Sequence, residues 1–140
     1  VVAAANAGRY SSIDDIDQPG VRVIENSGGT NEQFARTNFP AAQITIWPDN
    51  TTIFDQLAAG NADVMVTDAV EAIYQSSLHP ELFAQHPERP FTSEVKAYLL
   101  PAGSPIARQT DAWLAGALRD GTFAGIYQRW LHAPAPETPR

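Results

Sequence analysis

Two rhythms of apolar positions alternate along the chain. Val21-Arg22-Val23-Ile24 is a short β-rich run, bounded by Pro19-Gly20 and by Asn26-Ser27-Gly28-Gly29, and reads as a strand. Gln43-Ile44-Thr45-Ile46-Trp47 alternates polar and apolar residues, the period of a strand. Ala62-Asp63-Val64-Met65-Val66 is a third such run, and Val95 to Leu100 a fourth, closed by Pro101. Between them the rhythm is helical. The spacing predicts a helix over Thr30 to Asn38. Ile53, Phe54 and Leu57 share a helical face that stops at Gly60, with Asp49 or Asn50 as a cap. Asp68 opens a further helix through Ala72, Ile73 and Tyr74. Upstream, Val1 to Ala5 reads like the end of a strand, and Asn6 to Pro19 like a linker with a short helical turn. His79 to Thr92 holds three prolines and reads as a loop. The last third is helical. Ser104-Pro105 looks like an N-cap with proline at the first helical position. Trp113, Leu114, Ala117 and Leu118 follow before Gly121, and Phe123, Ile126, Tyr127, Trp130 and Leu131 form a second helical face.

Strands that alternate with helices predict an α/β fold with a largely parallel sheet. Ligands bind such sheets beyond the carboxyl ends of the strands. Two segments occupy that position: Gly28 to Asn31 after the first full strand, and Thr67 to Glu71 after the third.

Composition narrows the partners. The 140 residues suffice for one ordinary domain with its own core. Net charge is -7, with the acidic residues spread along the chain, which argues against nucleic-acid binding. No apolar run has the length of a membrane span. The absence of cysteine excludes disulfides, thiol catalysis and zinc-thiolate sites. His79, His86 and His132 show no metal-ligand spacing, so we expect neither metal nor cofactor. The chain begins at Val1 without a signal segment, and we expect a fragment or processed form lacking an N-terminal portion. The Pro-rich residues 132–140 are expected to form a disordered tail.

Asn26-Ser27-Gly28-Gly29-Thr30-Asn31 combines two glycines, which admit close backbone approach, with a helix start whose free N–H groups favour an anion. Asn26, Thr30 and Asn31 add side-chain donors. The same residues also fit a plain turn, with Thr30 and Gln33 as a capping box. It is not a phosphate loop, since no Gly-Lys-Ser/Thr follows. Asp68 and Glu71 have capping-box spacing too. Three residues apart, they share a helical face toward the strand-end crevice. One could meet a ligand amino group, and the other could deliver a proton.

These residues carry a family resemblance. Gly28-Gly29-Thr30-Asn31, Pro48 to Phe54, Ala62 to Glu71 and Lys96 to Pro101 resemble the second half of the cyclohexadienyl dehydratases, enzymes of the type II periplasmic solute-binding-protein fold. Generic amino-acid-binding proteins share the Gly-Thr helix start and an Asp at the position of Asp68, but do not usually share Asn31 and Glu71 together. Ser27 stands where the family commonly has proline.

The resemblance implies two lobes closing on a small carboxylate substrate. On that basis residues 1–6 end a hinge strand, 7–97 form the second α/β lobe, and 98–131 cross back as C-terminal helices toward a first lobe that is largely missing. That lobe, or a second copy of the chain, is the expected partner. The implied reaction is conversion of prephenate to phenylpyruvate and of L-arogenate to L-phenylalanine. Glu71 matches the general acid, and Asn31 would hydrogen-bond the reacting end. Asn26, Gly29 and Thr30 would hold a carboxylate, and Asp68 could pair with the arogenate amino group. The expected location is the bacterial periplasm. The alternative is a non-catalytic amino-acid-binding protein of an ABC transporter.

Overall fold

The structure, a computed structural model, describes residues 1–136. The tail expected at 132–140 lies outside the described residues from 137 onward. The chain divides into two compact units, Val1–Pro90 and the segment from Phe91 onward.

In the first unit, β1 (Val2–Ala3) leads through a single 3-10 turn to α1 (Ile13–Ile16). Ser12 and Asp15 cap α1 reciprocally: each accepts from the other's backbone N–H. Then come β2 (Arg22–Asn26), α2 (Thr30–Asn38) and β3 (Gln43–Trp47). β2 and β3 pair in parallel from Arg22↔Gln43 to Asn26↔Trp47, with α2 as the crossover that a parallel connection requires. α3 (Ile53–Ala58), α4 (Ala69–Leu78) and β4 (Leu82–Phe83) complete the unit. β4 pairs antiparallel with β1. Val64 bridges Val23 in parallel and Val2 in antiparallel sense. The pairing order is therefore β4, β1, the Val64 segment, β2, β3.

β2 has neighbours on both sides, and Val23, Ile24 and Glu25 are all buried. Successive side chains point to opposite faces. Val23 packs with Val64, Ile16, Ala35 and Phe39 on the α1–α2 face. Ile24 packs with Met65, Ile53, Phe54 and Leu57 on the α3 face. β3 lies at the edge, and its polar residues Gln43 and Thr45 are exposed.

Several expectations change. Ala62 to Val66 forms no extended ladder; Val64 alone makes a bridge to each neighbour. Val95 to Leu100 is irregular, with Leu99 97% exposed, because no strand among the described residues offers it a ladder. β4 falls inside the expected loop. Its two residues are too few to show a period, and its partner lies at the other end of the unit. Asp49 does not cap α3 directly. Its carboxylate accepts from Thr51 N, Thr51 Oγ1 and Thr52 Oγ1 in the preceding turn, and Thr52 is the N-cap residue. In the second unit, Ser104-Pro105 forms a turn ahead of the helix, and α5 runs over Ala107–Arg119. Gly121, at φ 85°, makes the left-handed reversal into α6 (Thr122–Leu131).

Leu57 is fully buried, whereas Leu78 is 55% exposed. Leu57→Ala is expected to lower stability by about 2–5 kcal/mol. Leu78→Ala should change it by less than about 0.5 kcal/mol. Urea unfolding of both variants checks the contrast, and equal losses would contradict the core assignment.

Candidate functional site: two helix starts at one sheet edge

β2 ends at Asn26 and feeds α2 through Ser27-Gly28-Gly29. The Val64 segment ends at Val66 and feeds α4 through Thr67-Asp68. Because Val23 and Val64 pair in parallel, both ends lie at the same sheet edge. β3 ends there as well, at Trp47, opposite Asn26. Its indole Nε1 donates to Thr52 Oγ1 at 3.0 Å.

The α2 start is tied down by Glu32. Gly28, at φ 80°, donates its N–H to Glu32 Oε2 at 2.7 Å, and Glu32 Oε1 accepts from Arg36 Nε at 2.8 Å. The Gly28 N–H first, and Arg36 next, hold the Glu32 carboxyl below its ordinary range. Gly29 is the N-cap residue and supplies no side-chain cap, so the capping box of Thr30 with Gln33 does not form. The first α-helical bond runs from Gln33 N to Gly29 O. The N–H groups of Thr30 and Asn31 thus precede any intrahelical acceptor. Thr30 is exposed, and Gly29 and Asn31 are half-buried. Asn26 is half-buried too, yet its Oδ1 is buried with no partner among the described residues.

The α4 start differs. Asp68 is the N-cap residue, but its side chain makes no cap bond. Glu71 does not close a capping box either. Its Oε2 accepts from the Thr67 hydroxyl, which fixes one oxygen of a half-buried carboxylate. The site residues read from the sequence thus fall into two groups at one edge: Asn26, Gly29, Thr30 and Asn31 after β2, and Asp68 and Glu71 after the Val64 segment.

Two participants are not apparent from motif spacing. Thr67 is one. Glu25 is the other, and it is fully buried. Its Oε1 accepts from Val66 N at 2.8 Å, and its Oε2 has no partner among the described residues. Burial pushes the Glu25 carboxyl up to about 8, against the opposing pull of the Val66 N–H. The sequence shows only an acidic residue directly after the apolar run Val21 to Ile24, and its burial emerges from the packing of β2.

The second unit holds a hollow of about 510 Å³ lined by Tyr98, Leu99, Leu100, Ile106, Gln109, Thr110 and Trp113. None of the candidate residues lines it. Among the described residues no helix is long and apolar enough to cross a membrane.

No family model matches the chain. Over 131 residues, 94% of its length, it is 47% identical to the cyclohexadienyl dehydratase of Pseudomonas aeruginosa, of which it covers 49%. The chain is thus similar to a cyclohexadienyl dehydratase over nearly all of its own length. A solved ancestral cyclohexadienyl dehydratase is 41% identical, with a TM-score of 0.63 over 94% of this chain and 55% of that one. An ancestral amino-acid-binding protein, described as a precursor of cyclohexadienyl dehydratase, is 30% identical, with a TM-score of 0.78 over 93% of this chain and 55% of that one. The glutamine-binding protein GlnH of a Bacillus subtilis ABC transporter is 26% identical over 88% of this chain and 44% of its own. The fold is that of the type II periplasmic amino-acid-binding proteins, as one lobe plus helices. The chain spans about half the length of the relatives it matches.

The buried Glu25 gives the chain a pH signature. Between about pH 4.5 and 8, the folded state keeps a proton on Glu25 that the unfolded state releases, so stability falls as pH rises through that window. Comparison with Glu25→Gln isolates the carboxyl. Urea unfolding at a series of pH values should show the wild type losing more stability than the variant as pH rises. Parallel curves would contradict the assignment.

Proposed function

We propose that the chain is the catalytic-acid half of a periplasmic dehydratase acting on prephenate and L-arogenate. The observation that carries this is the Glu71 carboxylate, bonded to Thr67 at the sheet edge it shares with the α2 start, in a chain 47% identical to a cyclohexadienyl dehydratase. Residues 7–97 are the second lobe, 1–6 end a hinge strand, and 98–131 return toward the first lobe. The remaining wall of the cleft comes from that lobe or from a second copy of the chain.

The chemistry follows from the residue types. A substrate carboxylate accepts from the free N–H groups at Thr30 and Asn31, with Gly29 permitting close approach and Asn26 assisting. Asn31 hydrogen-bonds the reacting end of the ring. Glu71 donates a proton to the departing ring hydroxyl. The bond from ring carbon to carboxylate breaks, and its electron pair enters the ring. The protonated hydroxyl leaves as water and the carboxylate as carbon dioxide, so the ring becomes aromatic. Asp68 meets the amino group of arogenate. Lobe closure excludes bulk water and adds positioning.

A second function is a binding protein for an ABC transporter, favoured by the likeness to GlnH and to an ancestral amino-acid-binding protein. Such a protein needs donors and counter-charges but no proton donor.

The full-length protein assayed with prephenate separates the two. Glu71→Gln is expected to lower phenylpyruvate formation by roughly 100-fold or more. Turnover unchanged by Glu71→Gln overturns the catalytic role. A wild type that turns nothing over but binds a cationic amino acid tightly establishes the transporter function instead.

A further inference from the structure

Val66 makes an irregular bond at the point where the chain leaves the sheet. Val64 N donates to Arg22 O at 3.2 Å, and Ile24 N donates to Val64 O at 3.0 Å. A regular parallel ladder would continue with Val66 N donating to the Ile24 carbonyl. Instead Val66 N donates to Glu25 Oε1 at 2.8 Å. A side chain thus replaces the ladder carbonyl, one residue before Thr67. Thr67 in turn donates its hydroxyl to Glu71 Oε2. We infer that Glu25 is a positioning residue for Glu71, acting through the Val66 N–H and the Thr67 hydroxyl. This rests on the dehydratase function proposed above.

Three features support the relay. Glu25 is fully buried, so its geometry is set by packing rather than by solvent. Its second oxygen has no partner among the described residues, so the Val66 N–H is the contact that orients it. Glu25 also sits between Ile24, which packs on the α3 face, and Asn26, the last residue of β2 before the turn into α2. With its carboxyl pushed up to about 8, Glu25 is mostly protonated at neutral pH, and glutamine reproduces that form closely.

The test uses the full-length protein and prephenate. Glu25→Leu and Thr67→Val are each expected to lower kcat roughly 10–100-fold while KM stays within about threefold, the pattern of a misplaced acid. Glu25→Gln keeps an acceptor for Val66 and rescues most of the loss, and Thr67→Ser does the same by keeping the hydroxyl. The double variant Glu25→Leu/Thr67→Val should be no slower than the worse single variant, because both break one relay. Wild-type kcat in Glu25→Leu, additive losses in the double variant, or a loss confined to KM overturns the inference. If circular dichroism shows Glu25→Leu unfolded, Thr67→Val decides, and wild-type kcat there overturns it. Failure of the dehydratase function would show separately, as turnover unchanged by Glu71→Gln.

Discussion

β2 runs parallel to β3 on one side and to the Val64 segment on the other, and the arrangement of the candidate site depends on that pairing. Parallel neighbours end at the same edge. The turns that follow them, Ser27 to Gly29, Pro48 to Thr52 and Thr67-Asp68, are therefore gathered at one place. The burial of Val23 and Ile24 on opposite faces holds the pairing, since a one-residue slip would exchange the α1–α2 and α3 faces. The crevice residues are thus located by core packing on both sides of one strand.

Much of this was legible in the sequence. Thr30–Asn38 and Gln43–Trp47 have the bounds their patterns predict, because a glycine-rich entry marks the helix and alternation marks the edge strand. The parallel sense followed from the strand-helix-strand order. The remainder depended on contacts that pattern does not encode. Val64 is apolar in an apolar run whether it forms one bridge or a ladder. Val95 to Leu100 has strand-like residues, yet a strand exists only where a neighbour supplies donors and acceptors. Both capping boxes had the right spacing and neither forms: Glu32 takes the Gly28 N–H, and Thr67 takes Glu71. Glu25 was invisible because an acidic residue in a strand ordinarily faces solvent. Only the packing of both sheet faces buries it.

Binding and catalysis would share most of this scaffold. Free N–H groups at a helix start and half-buried amides recognise a carboxylate in either role. What an enzyme adds is a proton donor at a fixed place, and Glu71, held through Thr67, has the chemistry for it. The chain is similar both to a dehydratase and to an ancestral amino-acid-binding protein. In the relay we infer, the placement of that carboxyl traces back to Glu25, whose side chain takes the Val66 N–H one residue before Thr67.

The most direct test is a crystal structure of the full-length protein with phenylpyruvate bound. The ligand carboxylate should lie about 2.7–3.2 Å from the N–H groups of Thr30 or Asn31, with the ring against Glu71. A ligand bound elsewhere, or one whose carboxylate contacts neither helix start, would contradict the assignment of this sheet edge as the reaction site.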